Sequence, residues 1–184
     1  MSELTLLGLC GSLRSGSFNR KLMHQAVSAF GPADFVEGSL RLPLYDGDLE
    51  SADGIPDAVQ TLAGQIKAAD AVVIACPEYN KAPPGVLKNA LDWVSRVKGN
   101  PWADKPVAIV SATGGRAGGE RTQFALRLMM VAFRPRLLQG PEVLVGAASE
   151  QFDTAGKLVN ERNMTALEGL MDALRVEAER AVKP

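Results

Sequence analysis

The chain has 184 residues and a formal net charge of −1, with 46% apolar and 22% charged residues. The length predicts one domain, residues 1–184, with a sizeable core. The charge gives no support for nucleic-acid or membrane-surface binding. No apolar run approaches the roughly 20 residues of a membrane helix, and Glu3 with no basic segment before the first apolar run predicts no secretory signal. We expect a cytoplasmic protein.

The first predicted strand is the apolar run from Leu4 to Cys10, whose length is typical of a buried parallel strand. A glycine- and serine-rich loop follows at residues 11–17, and apolar residues at helical spacing from Phe18 to Phe30 predict the first helix. This arrangement presents backbone N–H groups and the positive end of a helix dipole to an anion. Further donors are Ser12, Arg14, Ser17 and Asn19.

The spacing within this loop excludes two common nucleotide-binding motifs. Gly11 and Gly16 have Walker A spacing, but Ser17-Phe18 stands where lysine and a hydroxyl residue are needed. The dinucleotide fingerprint also fails, because the glycines are Gly8, Gly11 and Gly16. Donors without a metal-binding residue suit a permanently held monophosphate such as that of FMN. An ordinary polar turn at a helix start is the alternative.

The next elements alternate between strand and helix. Asp34 to Leu40 is the second predicted strand, Arg41 to Glu50 is a loop, and a helix begins near Pro56. The uninterrupted apolar run from Ala71 to Cys76 predicts a strand covered on both faces. A proline-stiffened loop at 77–85 leads into the next helix.

The rest of the chain repeats the alternation. Pro106 to Ser111 is the fourth predicted strand, and Pro141 to Val145 the fifth. Between them lies the loop 113–119, with four glycines in six positions, which lets backbone approach something flat or bulky. Glu150 to Val159 is an exposed connection, and Asn160 to Val182 is the closing amphipathic helix.

The helix predicted over Glu120 to Phe133 is apolar nearly all round, which is typical of a helix buried on both sides. The second side suits a partner subunit, so we expect a homodimer or homotetramer. A neighbouring loop covering that side is the alternative.

The strand–helix alternation predicts a flavodoxin-like α/β fold with a five-stranded parallel sheet, order 2-1-3-4-5, and helices on both faces. Ligands of such sheets bind at the carboxyl ends of the strands. The three unusual loops follow strands 1, 3 and 4, so we expect them to converge on one crevice.

The two cysteines, Cys10 and Cys76, show no disulfide or metal-site spacing. We expect buried, reduced thiols, with a redox dithiol as the alternative if their strands are neighbours. The single histidine, His24, lacks a partner set for zinc, and no metal site is predicted.

A resemblance to a known family rests on Gly11-Ser12-Leu13-Arg14-Ser15-Gly16-Ser17-Phe18-Asn19, on Pro77-Glu78-Tyr79-Asn80 and on the segment from Pro84 to Trp93. With the glycine-rich loop, these segments resemble the NADPH-dependent FMN reductase family, a group of flavodoxin-like quinone, azo, chromate and ferric-complex reductases. The resemblance runs over most of the chain.

The resemblance implies tightly but non-covalently bound FMN, with NADH or NADPH as co-substrate. The first loop would hold the phosphate, the second would lie along the isoalloxazine ring chiefly through its backbone, and the third would line the pyrimidine end. A core aromatic is the alternative for Tyr79. The implied cofactor-binding residues are Gly11, Ser12, Arg14, Ser17, Phe18, Asn19, Pro77, Glu78, Tyr79, Asn80, Ser111, Ala112, Thr113, Gly114 and Gly115.

Because flavin carries the redox chemistry, we expect no catalytic side chain. We predict a ping-pong cycle in which NAD(P)H reduces the flavin and leaves before an acceptor binds. The acceptor is a quinone, chromate, a ferric complex or an azo compound. Arg96 and Arg116 are expected near the mouth, where they would meet substrate or nucleotide phosphates. Solvated arginine or an intersubunit salt bridge is the alternative.

Three other functions remain open at this point. A flavodoxin-type electron carrier would share the fold, but such carriers tend to be strongly acidic, and a neutral chain favours the reductase. A domain that binds another phosphorylated ligand without redox work is the second. A partner-binding regulatory domain is the third. The three glycine or proline loops at one edge of the sheet count against it, because such a domain does not need them.

Overall fold

The computed structural model describes residues 4–182, so the expectation based on Glu3 lies outside the described residues. The strands are β1 (Thr5–Cys10), β2 (Asp34–Gly38), β3 (Ala71–Ala75), β4 (Pro106–Ala112), β5 (Arg136–Leu137) and β6 (Val143–Val145). The helices are α1 (Phe18–Phe30), α2 (Gly47–Asp53), α3 (Asp57–Ala68), α4 (Gly85–Ser95), α5 (Glu120–Met130) and α6 (Glu161–Val182). Short 3₁₀ turns span Val131–Phe133 and Ala148–Glu150.

The strands form one parallel sheet in the order β2-β1-β3-β4-β5, which confirms the predicted flavodoxin-like order. The predicted number of strands was wrong, because β6 also pairs with β4. β5 pairs with Pro106 and Val107, whereas β6 pairs with Val110 to Ala112. The two short strands therefore share one edge of β4.

Apolar side chains fill both faces of the sheet. One cluster joins the sheet to α1 and α6, and the other joins it to α3, α4 and α5. Every residue of β3 is buried, as its uninterrupted apolar run predicted. Because side chains alternate along a strand, β1 places Leu6 in the first cluster and Leu7 in the second.

Two predicted connections contain more structure than expected. The predicted loop Arg41 to Glu50 includes the start of α2, which is capped by the Asp46 carboxylate and has no buried residue. The predicted exposed connection Glu150 to Val159 buries Phe152 and Leu158, which form an isolated antiparallel bridge. An element without an apolar face gives no periodic signal, and a single buried aromatic gives none either.

Helix α5 is buried on one side only within the chain. Leu126 and Met130 are in the core, whereas Phe124, Leu128 and Val131 are 56%, 75% and 67% exposed. The three exposed residues follow the i, i+4, i+7 spacing of one helix face. Among residues 4–182, no helix has the length and apolar character needed to cross a membrane.

Candidate functional site

The three unusual loops converge at the carboxyl ends of β1, β3 and β4, as predicted. They enclose a cavity of about 150 Å³. All the lining residues come from these loops and the ends of the elements that flank them. They are Ser12, Arg14, Ser17, Phe18, Asn19, Pro77, Glu78, Tyr79, Ala112, Thr113 and Gly114.

The first loop offers hydrogen-bond donors at the start of α1. Ser17 is the N-cap of this helix, and its hydroxyl oxygen accepts from the backbone N–H of Arg20. Ser12 is buried, and its hydroxyl oxygen accepts from the Arg14 N–H at 3.4 Å and the Tyr79 hydroxyl at 3.3 Å. The Ser12 hydroxyl keeps its own proton to donate to an anion. The Ser17 hydroxyl also lies 3.9 Å from the Cys10 sulfur, and either atom of this pair can be the donor.

Two of the predicted residues, Asn19 and Phe18, also contact other parts of the fold. The buried Asn19 amide pairs with the backbone of Ala112, donating to its carbonyl at 2.7 Å and accepting from its N–H at 3.0 Å. This pair joins α1 to the end of β4, and one N–H of the Asn19 amide is left over. Phe18 stacks on Phe152, with ring centroids 5.5 Å apart.

The second loop is a tight hairpin. Tyr79 and Ala82 exchange two backbone hydrogen bonds of 3.0 and 3.1 Å. The central residues Asn80 and Lys81 both have positive φ, 51° and 69°, as a type I′ turn requires. Tyr79 is 47% exposed, so the alternative of a core aromatic was wrong.

The carboxylate of Glu78 is engaged inside the protein. It accepts from the backbone N–H of Thr122 in the first turn of α5, at 3.3 Å. The negative charge therefore faces the positive end of a helix. The backbone around Pro77 and Glu78 is left as the face that this loop offers to a ligand.

The glycines of the third loop divide into two pairs. A Cβ on Gly114 or Gly115 would meet no atom within 4 Å, so these residues leave open space beside the cavity. Gly118 and Gly119 instead pack tightly against protein atoms. The whole glycine run was expected to leave room for a flat ligand, but only Gly114 and Gly115 do so.

Six predicted residues do not line the cavity. Gly11 and Ser111 are buried outside its wall, whereas Asn80 and Gly115 are exposed to solvent. Arg96 follows α4, which runs roughly 16 Å away from the carboxyl edge over its 11 residues. Its Nε donates to the Glu50 carboxylate at 2.9 Å.

Arg116 is exposed in the third loop and lines a neighbouring groove together with Arg162. Arg116 follows the cavity-lining Gly114 by two residues, whereas Arg96 lies at the far end of α4 from the carboxyl edge. A substrate role for either residue stays a prediction.

The two thiols lie on opposite faces of the sheet, Cys10 in the α1/α6 cluster and Cys76 in the α3/α4/α5 cluster. Their strands are neighbours, but this arrangement does not suit a dithiol. Burial raises the pKa of both thiols, and that of Cys76 to about 12. Both are therefore protonated at neutral pH, as expected of reduced structural cysteines.

The cavity fits part of FMN. The donors suited to a phosphate are the serine hydroxyls, the exposed Arg14 guanidinium and the N-terminus of α1. Whole small-molecule pockets span about 300–1,000 Å³, so a cavity of about 150 Å³ encloses only a portion of such a ligand. A phosphate end can be enclosed, while a flat ring would lie toward the open space at Gly114.

A family model described as NADPH-dependent FMN reductase matches residues 4–150. The chain belongs to this family. The resemblance to this family seen in the sequence is thereby confirmed. As a member of the NADPH-dependent FMN reductase family, the protein is an oxidoreductase with FMN as cofactor and NAD(P)H as co-substrate.

Similar proteins agree with this membership. A Pseudomonas aeruginosa protein named NAD(P)H-dependent FMN reductase is 38% identical over 180 residues, which cover 97% of each chain. A quinone reductase of Escherichia coli is 38% identical over 179 residues, covering 94% of this chain and 95% of that protein. The solved structure of FerB, a flavoenzyme NAD(P)H:(acceptor) oxidoreductase from Paracoccus denitrificans, has a TM-score of 0.86 at 30% identity, covering 96% and 98% of the two chains.

Sequence reasoning missed four residues that shape this reductase site. Arg41 donates from its guanidinium to the Leu13 carbonyl at 3.1 Å, and Phe152 packs on Phe18. Thr122 and Gln123 hold two of the loops from α5. Only the last two gave a usable signal, as polar residues in an otherwise apolar helix.

Proposed function

We propose that the protein is an NAD(P)H:quinone oxidoreductase that holds FMN in the cavity of the three loops. The observation that carries this proposal is the convergence of a phosphate-donor loop, a stiff hairpin and an open glycine segment on one cavity. The names of the P. aeruginosa and E. coli relatives support both the flavin and the quinone. Chromate, ferric complexes and azo compounds are further proposed acceptors.

The residues divide the work of binding. Ser12, Ser17 and Arg14 hold the phosphate, and the N-terminus of α1 adds its dipole. The backbone of Pro77 to Asn80 and the segment from Ser111 to Gly115 position the ring. When bound, FMN supplies the group that accepts and releases hydride.

The protein leaves one side of this site open, and we propose that NAD(P)H and the acceptor use that side in turn. NAD(P)H delivers its hydride and departs before the acceptor enters, which is a ping-pong sequence. Arg116 follows the open segment and lines the neighbouring groove, and we propose that its guanidinium meets nucleotide phosphates. The expected cytoplasmic location stays a prediction.

We also propose that α5 pairs with α5 of a second copy. Phe124 and Leu128 form an exposed apolar stripe on this helix, and Val131 continues it in the 3₁₀ turn that follows. Such a stripe can pair with itself about a two-fold axis. A groove of about 580 Å³ between α4 and the end of α5 continues the apolar surface, with Leu91, Met129 and Phe133 in its wall. Whether dimers associate further into tetramers is left to measurement.

The test begins with the visible absorption spectrum of purified protein. We expect the two flavin bands, bleaching by NADH or NADPH in the absence of air, and recovery when a quinone is added. Steady-state rates measured against NAD(P)H concentration, at several fixed quinone concentrations, should give parallel double-reciprocal lines. Protein that is colourless and takes up no added FMN would overturn the proposal, and a large, stable neutral semiquinone would favour an electron carrier.

A further inference from the structure

The buried face of α5 carries two adjacent polar side chains. Thr122 is 0% exposed and Gln123 is 1% exposed, although the other buried residues of this helix, Leu126 and Met130, are apolar. Burying a polar group is unfavourable unless it is hydrogen-bonded. The partners of these two side chains therefore indicate what they do.

Thr122 is bonded to the second loop. Its hydroxyl donates to the Pro77 carbonyl at 3.2 Å and lies 3.2 Å from the Cys76 sulfur. Its backbone N–H donates to the Glu78 carboxylate at 3.3 Å. Three successive residues at the base of the hairpin are thus held by one residue of α5.

Gln123 is bonded to the third loop and to the edge of the sheet. Its Nε2 donates to the Ser111 hydroxyl at 2.9 Å and to the Val143 carbonyl at 3.0 Å. The Ser111 hydroxyl in turn donates to the Gly118 carbonyl at 2.6 Å. These bonds join both ends of the glycine-rich loop to the first turn of α5.

The acceptor side of the Gln123 amide is less satisfied. Its Oε1 is buried, with no hydrogen-bond partner among residues 4–182. An apolar side chain of similar shape would avoid this penalty. The residue is therefore better explained by the position it imposes on its two partners than by stability alone.

Two glycines allow α5 to sit this close to the strands. Gly119 precedes the helix at φ +93°, and a Cβ there would lie 2.8 Å from the Ser111 hydroxyl. Gly118 has φ +62°, and a Cβ there would collide with the Leu144 backbone. With so little space, a movement of the first turn of α5 must be transmitted to both loops.

We propose that Thr122 and Gln123 are positioning residues, which fix the second and third loops relative to each other and so set how the flavin ring is held. Neither residue lines the cavity, so both act through the loops. The inference rests on the assignment of that cavity to FMN. It predicts that changes behind the site alter flavin affinity and reduction potential while the phosphate-binding residues stay intact.

The test compares Thr122→Val, which keeps the shape and removes the hydroxyl, with Thr122→Ser, which restores the hydroxyl. Loss of one hydrogen bond predicts an FMN Kd about threefold to tenfold higher for Thr122→Val. The reduction potential and the visible bands should also move, and Thr122→Ser should return all three toward the parent. Gln123→Met is expected to act in the same direction.

The matched control is Thr61→Val, an exposed threonine on α3, which should leave all three readouts unchanged. A Thr122→Val protein with lower thermal stability but parental FMN Kd, potential and spectrum would overturn the proposal. If Gln123→Met does not fold, the Thr122 pair still decides. Should the cavity assignment itself be wrong, Arg14→Ala would also leave FMN binding unchanged, which separates the two failures.

Discussion

Replacing Arg14 with alanine tests the phosphate end of the site without disturbing the fold. The guanidinium of Arg14 is exposed and lines the cavity. In the part of the chain that the structure describes, its side chain takes part in no hydrogen bond or ion pair. Its loss should therefore change the free energy of unfolding of the flavin-free protein by no more than about 0.5 kcal/mol.

The expected loss of flavin affinity follows from the kind of contact. A hydrogen bond to a charged group contributes about 1.5–3 kcal/mol, and the exposure of Arg14 favours the lower end through solvent screening. A loss of about 1.5 kcal/mol corresponds to a Kd about tenfold higher. Because salt shortens the Debye length from about 10 Å at 0.1 M to about 3 Å at 1 M, the difference from the parent should shrink as salt is added.

The assay is titration of flavin-free protein with FMN, followed by flavin fluorescence at low and high salt. Lys67→Ala is the matched control, since it removes one positive charge from the last turn of α3, at the opposite edge of the sheet. An Arg14→Ala protein with the Kd and salt dependence of the parent would refute the assignment of the phosphate to the first loop.

Three other substitutions test separate parts of the structure. Leu128→Asp should dissociate the proposed dimer, as measured by analytical ultracentrifugation. The control Val176→Asp, on an exposed face of α6, should not. An unchanged sedimentation coefficient for Leu128→Asp would contradict pairing through α5. Burial raises the pKa of the Cys76 thiol from 9.0 to about 12, so the free energy of unfolding should fall by up to about 4 kcal/mol as pH rises from 9 to 12. Cys76→Ser should remove this fall. Equal slopes of unfolding free energy against pH for the parent and Cys76→Ser would exclude it. Asn89→Ala removes two 2.8 Å hydrogen bonds, to the Pro43 carbonyl and the Tyr45 N–H. It should lower the free energy of unfolding by about 1 kcal/mol and speed amide exchange in the loop that contains Pro43 and Tyr45. Unchanged exchange would show that these bonds do not restrain the loop.

The sequence predicted well those elements whose burial requires a pattern of apolar residues along their whole length. The run Ala71 to Ala75 is buried throughout, and a strand covered on both faces has to be apolar at every position. Strand β5 has only two residues, too few for a periodic pattern. Helix α2 has no buried residue, and its capping Asp46 followed by glycine reads equally well as a turn.

Within the site, the sequence predicted which loops meet but not what their side chains contact. The binding of Asn19 to a phosphate stays a prediction, but the sequence did not predict that its amide pairs with Ala112, 93 residues along the chain. Glu78 was predicted to lie along the flavin chiefly through its backbone, and the sequence did not predict the contact of its carboxylate with the N-terminus of α5, 44 residues away. Such pairings depend on the packing of distant elements, which local patterns do not encode.

These internal contacts divide the site into two parts with different sensitivities. Although Asn19 joins α1 to β4, its amide keeps one N–H, so the side-chain donors left for a phosphate are Ser12, Arg14, Ser17 and this N–H. The ring side is shaped by backbone that α5 holds through Thr122 and Gln123. Replacing Arg14, whose side chain bonds to neither of the other loops, should therefore weaken FMN binding without changing the potential of the bound flavin. Substitutions in α5 should change both, because they move the groups beside the ring.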